Sequence, residues 1–387
     1  MAVSTTTVRR CEERSLFVKR ALVTLALLIA SLASSASAMP IFAQRYQMTC
    51  GACHTVLPEL NTFGNFFRDH GYRLPAPKHG TTIAALRYQM EYDRDPAPNA
   101  PRYVPGGVLL SNADIGAISA FLHYNIGAQG GPSGTYLAYL TRYDAATKSQ
   151  YRLGLFELPL VHSPGQRLDD LAPYGYEQAH VGLNDLTLAQ PRWGIEAERQ
   201  VGVTRLAFTV AFAEFKGAAY GGRPIDTGIT TRPQHPEVGF FVRAPFGTAL
   251  TLTADALAGA RATAPASRAP FTDAYTRDAL GIDVHHHRLS LLAQQWWGVD
   301  TNDDGFGSRA GSSGGFARLR YALGDHAYLG IRFDATAAPT AVRDTVIYAA
   351  THVGRHVRVL VENRRIQNGR SSLEAAMTVG VPWPANH

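Results

Sequence analysis

Cysteine is nearly missing from this chain: three in 387 residues, at positions 11, 50 and 53. That scarcity excludes a disulfide framework, and it excludes a structural zinc site built from two cysteine pairs. Long apolar runs are missing as well. Beyond residue 38 no stretch approaches the roughly 20 apolar residues that a membrane-crossing helix requires. Whole-domain repeats and low-complexity tracts are absent too. An excess of one charge sign is weaker than it first looks. The net charge of +6 includes five Lys/Arg and two Asp/Glu within residues 1–38, and the remainder carries 32 basic against 29 acidic groups, a net +3. Nucleic-acid binding is therefore not read from charge.

Residues 1–38 have the form of an export signal. Arg9, Arg10, Arg14, Lys19 and Arg20 precede an apolar run from Ala21 to Leu32, and Ala36-Ser37-Ala38 supplies a small-residue cleavage site before Met39. Cys11 leaves with this segment, so the exported chain keeps only Cys50 and Cys53.

What is present centres on Cys50-Gly-Ala-Cys53-His54. Two thiols one helical turn apart suit two thioether bonds to the vinyl groups of a haem, and the adjacent imidazole then falls under the iron as its fifth ligand. A thioredoxin-like pair would want a βαβ setting, which the pattern lacks. A disulfide between the two thiols stays open in an oxidising compartment. One covalent haem c on Cys50, Cys53 and His54 is the expectation. For the sixth ligand the candidates are His70 and Met48; His123 has the right strand parity, whereas Met90 shares a lipid-facing set with Leu86 and Tyr88 and is discounted.

Leu57, Leu60, Phe63, Gly64 and Phe67 recur at helical spacing between Pro58 and Leu74, with Gly71 as a stop, so a short helix is expected after the motif. Pro75, Pro77 and Gly80 then close a small domain, 39–80. Beyond it, 81–387 reads as strands. Leu206, Phe208, Val210 and Phe212 alternate with smaller residues, as do Val238, Phe240 and Val242, then Leu329, Ile331 and Phe333, and Val357, Val359 and Val361.

The connections separate a barrel from a sandwich. Short ones fall near Gly202, Gly247, His286, Gly324 and Gly354, and longer ones run about 217–236, 260–275, 298–314 and 337–343. That alternation is the mark of an outer-membrane antiparallel β-barrel. Ten strands count back from the C-terminus to about residue 191. Others are placed near 82–93, 114–128, 135–144 and 150–161. Whether 178–189 forms a hairpin or an inserted loop decides between sixteen strands, the preferred count, and fourteen, with both termini in the periplasm. The linker is so short that, at roughly 3.3 Å per residue, the haem domain belongs in or at the mouth of the lumen as a plug. Inward parity assigns Arg243, Arg318, Arg320, Arg332 and Arg358, with Asp255, Asp283, Asp334, Glu362 and Glu374, to that lumen.

Two other clusters bear on metals. His285-His286-His287 sits at a short turn and reads as incidental in a chain of 14 histidines. Asp300, Asn302 and Asp304 with Gly305 begin a calcium loop, but the twelfth position is Gly311 rather than Glu, so this is half a motif for Ca2+ or another divalent cation.

Pro40, Phe42-Ala43, Arg45, the Cys50–His54 motif, Pro58-Glu59-Leu60, Phe63-Gly64, Phe67 and Gly71-Tyr72 together resemble the fused monohaem cytochrome-porins of iron-oxidising bacteria. The resemblance implies an outer-membrane protein that takes electrons from an extracellular donor, Fe(II) foremost, and passes them through one haem to a periplasmic c-type cytochrome. In enzyme terms it implies an Fe(II):cytochrome c oxidoreductase. His70 departs from that family's pattern. Two other classes stay in view: a transport channel with a structural or sensory haem domain, and a periplasmic haem enzyme carrying a soluble β-domain.

Overall fold

A computed structural model describes residues 40–46, 48, 50–56, 59–74, 84–94, 103–127, 133–161, 170–172, 174–178, 181, 186, 188, 190–214, 230–264, 269–324, 327–337, 341–353, 357–367, 369 and 371–383. The expected export signal, 1–38, and the expected linker, about 75–82, lie outside the described residues.

Sixteen antiparallel strands close into one barrel. Two short strands precede them, β1 (His54–Val56) and β2 (Glu59–Leu60). The barrel strands are β3 (Ala84–Asp93), β4 (Tyr103–Ile115), β5 (Ile118–Ile126), β6 (Gly134–Asp144), β7 (Ser149–Phe156), β8 (Arg192–Val201), β9 (Thr204–Glu214) and β10 (Thr230–Phe246). They continue as β11 (Leu250–Ala264), β12 (Phe271–His286), β13 (Leu289–Asp300), β14 (Ala310–Ala322), β15 (Ala327–Thr336), β16 (Val342–Val353), β17 (Val357–Ile366) and β18 (Ser371–Trp383). Closure is made by β18 against β3, with Trp383 opposite Ala84 and Glu374 opposite Asp93. Every strand edge is thereby paired, which is what a sheet immersed in lipid requires.

The alternation of side chains sets the two faces. Phe208, Phe212, Phe240, Leu329, Phe333 and Val361 are 45–52% exposed and point outward. Between them Thr209, Asp334, Arg332 and Glu362 are buried on the inward side. An apolar belt outside and a charged lining inside identify a membrane-spanning barrel of the bacterial outer membrane rather than a soluble sandwich. All ten inward charges expected from parity lie on the lumen side of their strands.

The short turns, at 116–117, 145–148, 202–203, 247–249 and 287–288, share the end at which β3 begins and β18 finishes. Gly116, Gly202 and Gly247 each take positive φ there, between 60° and 66°, where a Cβ would be strained.

Five expectations need correction. Eleven strands, not ten, follow residue 191. The strand β4 was not anticipated: Pro105, Gly106 and Gly107 interrupt its pattern, and Val108 and Leu110 on its inward side are buried by another part of the chain, so no polar alternation marks it. The expected strand 114–128 is split by the Gly116 turn between β4 and β5. The segment 178–189 adds no strand to the closed barrel, in which β7 pairs directly with β8; the count of sixteen stands because β4 and the eleventh strand after residue 191 make up the difference. The longer connections are also shorter than read, since β10, β11 and β12 pair beyond the belt as far as Thr230, Ala264 and Phe271.

Candidate functional site

The motif forms a single turn, α2 (Cys50–Cys53), preceded by α1 (Pro40–Arg45) and followed by α3 (Thr62–Asp69). The helix after the motif is shorter than its periodicity suggested, because Leu60 is taken into a two-strand ladder opposite His54. Asn61 joins these pieces. Its backbone N–H donates to the Cys53 carbonyl at 2.9 Å, and its side-chain amide donates to Ala52 O at 3.1 Å. Its Oδ1 accepts from Gly64 N at 2.8 Å, capping α3. Gly64 lies so close that a Cβ there would overlap the Cys53 carbonyl oxygen. The Cys-x-x-Cys turn is thus clamped onto the first turn of α3.

Aromatic side chains surround that clamp. Ile41, Phe42, Tyr46 and Phe67 are buried, with Met48, Cys53 and Phe63 packed against them. Phe42 stacks on Tyr72 at 4.6 Å and meets Phe67 edge-on at 5.4 Å. The Tyr46 hydroxyl donates to Tyr72 O at 3.1 Å and accepts from Leu74 N at 3.2 Å. Gly71 and Tyr72 both adopt positive φ, at 65° and 60°, turning the chain back onto this cluster.

The same cluster continues into the barrel wall through Val108, Leu110, Phe121, Tyr139 and Phe156. Polar anchors ring it. Arg45 donates to Asn112 Oδ1 at 2.6 Å and pairs with Asp114. Arg73 donates to Gly116 O at 2.8 Å, and Arg243 of β10 donates to Asn65 Oδ1 at 2.6 Å. The motif segment is therefore fastened to the inner wall at the end of the short turns.

The sixth-ligand candidates separate. Met48 belongs to the cluster that holds Cys53. His70 sits at the far end of α3, with Nδ1 2.7 Å from Phe66 O and its ring between Phe66 at 3.7 Å and Tyr143 at 4.2 Å. His123 is inward and buried, bonded to Asn125 at 3.0 Å and edge-on to Tyr136. Met90 pairs across strands with Met377, on the outward side that carries Tyr88.

Sequence reasoning missed a second feature of the lumen. Part of the 157–191 connection folds inward. Leu158, Leu160, Val161, Tyr174, Tyr176 and Leu186 pack against Leu257, Tyr275, Trp296 and Phe316 of the far wall. Arg332 fixes it, pairing with Asp170 and Asp334 at 2.6 Å each, donating to Ala172 O at 3.0 Å and lying 3.8 Å from the Tyr174 ring centroid. Glu362 accepts from Leu171 N and Ala172 N at 2.6 and 2.9 Å. Higher in the lumen Glu237 binds Arg192, Arg261 and the Tyr275 hydroxyl. The signal available in the sequence was the buried-type run Leu158-Pro-Leu160-Val161 directly after a strand.

In the 301–309 loop Asp304 accepts from Phe306 N, Ser308 N and Ser308 Oγ, and Asn302 Oδ1 accepts from Gly307 N. Asp300 pairs with Arg277. These oxygens serve the loop itself, and among the described residues no group of three or more His, Cys, Asp or Glu side chains is placed to hold a metal ion. The Ser308 hydroxyl holds the Asp304 carboxyl below its ordinary range, while partial burial and then the Asp304 charge push Asp303 up. In the histidine run His285 pairs with Asp283 at 3.0 Å, and His286 meets His287 edge-on.

The donor types suit a c-type haem: two cysteines three positions apart on one turn, a following histidine, and a cluster of aromatic side chains packed against Cys53. No protein-family model matches the chain, and no curated protein sequence does. Solved structures do. DcaP, an outer-membrane channel of Acinetobacter baumannii, is similar with a TM-score of 0.54 at 11% identity over 77% of this chain and 96% of that one. An anion-selective porin from Comamonas acidovorans gives 0.54 at 12% identity over 78% and 98%. OmpF of Salmonella typhi, in a complex with daunomycin, gives 0.52 at 11% identity over 78% and 97%. The barrel has the fold of the outer-membrane porins.

Proposed function

We propose that this protein carries electrons at the outer membrane through one c-type haem held in the mouth of a porin-like barrel. Cys50 and Cys53 would hold the haem by thioethers and His54 would be its axial ligand, with Met48 rather than His70 as the sixth. When bound, such a haem supplies a one-electron iron couple whose potential follows its axial ligands and burial. The chain's own residues set those conditions. Asn61 and Gly64 fix the attachment turn, Phe42, Tyr46 and Phe67 exclude water around it, and Arg45, Arg73 and Arg243 tie it to the wall.

The observation that carries this reading is the continuity of one aromatic core from Cys53 and Met48 into Phe121 and Tyr139 of the barrel. A domain tethered only by its linker would not need that core. The resemblance to the cytochrome-porins supplies the donor, Fe(II), and the acceptor, a periplasmic c-type cytochrome, which would dock at the end of the short turns. The test is Cys53→Ala: it should abolish haem retained under denaturing electrophoresis and abolish reduction by Fe(II), while the barrel still assembles. Haem stain and reduction that survive the substitution would refute the reading.

The porin fold and charged lumen favour one other reading, a transport channel with a structural or sensory haem domain. A wide ion current in planar bilayers, unchanged in Cys53→Ala, would support it.

A further inference from the structure

We propose that the lipid-facing wall of β12–β17 carries a discrete site for one anionic lipid of the outer leaflet, its acyl chain lying along a groove in the wall and its phosphate at Arg343 and Arg365. The inference rests on the outer-membrane barrel and is independent of the haem reading.

The groove comes from small residues at outward positions. Cross-strand register sets Ala293 of β13 opposite Ala317 of β14, and Gly315 of β14 opposite Ala335 of β15. At Gly315 the backbone itself forbids more, since a Cβ there would lie 2.5 Å from the Gln294 carbonyl oxygen. The result is a groove of about 740 Å³, with Leu280 and Ile282 of β12 on one side and Phe333 of β15 on the other. It extends from Leu252 on β11 to Arg343 on β16, roughly 24 Å at about 4.8 Å per strand spacing. One leaflet of a hydrocarbon core is only about 15 Å deep. An acyl chain tilted along the groove therefore fits within it.

The head of the groove is basic. Arg343 lines it beside Thr345, and Arg365 of β17 stands opposite Thr345. Both arginines are exposed at outward positions, whereas their chain neighbours Asp344 and Arg364 pair with each other on the lumen side. Ten positions separate Arg343 from Val353 at the other end of β16. With strands tilted about 40°, that sets Arg343 roughly 25 Å above the short-turn end, at the far edge of the apolar belt. Among the described residues no carboxylate occupies an outward position of β13–β18; the outward acid Asp278 lies on β12, at the other flank of the groove.

An arginine at the edge of the hydrocarbon directs its charged head to the headgroup layer, where phosphate oxygens match the guanidinium fork. Between lipid and apolar wall there is no hydrophobic driving force, so a chain is held by the closeness of its packing, which a groove improves over a convex surface. Charge at one end and apolar length along the rest match the two parts of an anionic lipid. That complementarity selects a lipid as the occupant over a second copy of the chain.

The experiment is native mass spectrometry of the delipidated, detergent-purified full chain, titrated with phosphatidylglycerol or with diacylglycerol of the same chains. One phosphatidylglycerol per barrel should bind roughly tenfold or more tighter than diacylglycerol. Arg343→Gln combined with Arg365→Gln should erase that preference. Ala317→Leu, which fills the floor of the groove yet keeps an apolar face toward lipid, should weaken both lipids roughly threefold or more. Equal binding of the two lipids by the wild type, a preference that survives the double arginine variant, or affinities unmoved by Ala317→Leu would each overturn the proposal. Should the double variant not assemble, Arg343→Gln alone decides: a narrowed preference supports the site and an unchanged one refutes it. Dimers or trimers that are insensitive to lipid and lost in Ala317→Leu would give the groove to a second copy and refute the lipid.

Discussion

Asn61 gives the sharpest local prediction. Its Oδ1 caps α3 through Gly64 N, and its Nδ2 ties the Cys50–Cys53 turn to that helix through Ala52 O. Asn61→Ala removes both bonds. An N-cap replaced by alanine costs about 1 kcal/mol, and a second partly buried hydrogen bond contributes about 1 kcal/mol. Together they amount to about 2 kcal/mol, or roughly a 30-fold shift in the local opening equilibrium. The assay is hydrogen exchange followed by mass spectrometry on peptides covering 59–74, with barrel peptides as internal controls. The amides of Asn65 and His70, bonded to Asn61 O and Phe66 O, should lose about 30-fold in protection. Asn61→Asp keeps the cap and loses the tie to Ala52, so it should fall between wild type and alanine. Equal protection in all three proteins would show that the clamp does not hold the motif.

Three further outcomes follow from the barrel. Arg332→Ala takes the guanidinium away from the buried carboxylates of Asp170 and Asp334, at a cost of about 3–5 kcal/mol; the inserted segment should loosen and single-channel conductance should rise while the barrel survives. Phe333→Arg places a charge on the outward face and should cost about 2–4 kcal/mol near the centre of the belt, measured by urea-dependent folding into vesicles; a negligible cost would place that face in water. Because the Ser308 hydroxyl depresses Asp304, its contribution to loop order is complete above the unfolded value of about 3.9 and is lost as pH falls through the lower folded value. Exchange in 301–309, corrected for intrinsic rates, should therefore stay flat from about pH 6 to 8 and rise only in acid.

The outward half of the barrel was legible in the sequence because lipid demands it. Phe208, Phe240, Phe333 and Val361 must be apolar, and their polar partners inside keep the period of two. Where the lumen is dry that period fails, and so did the reading. Val108 and Leu110 are apolar inward because the motif segment covers them, which hid β4. Leu158, Leu160 and Val161 look like a continuing strand but leave the wall to enter the lumen. The motif itself was plain from spacing, whereas its clamp was not: Asn61 and Gly64 act through backbone geometry that no pattern of hydrophobicity records. Arg332 was placed inward by parity, yet its partner Asp170 is 162 residues away and became visible only in three dimensions.

The account stands or falls on a spectroscopic redox titration of the detergent-purified full chain with Fe(II) as reductant. It predicts one covalently bound haem per chain, reduced by Fe(II), with Met48→Ala changing the iron's ligand signature and His70→Ala leaving it unchanged. A colourless, conducting barrel, or a haem that Fe(II) leaves oxidised, would contradict it.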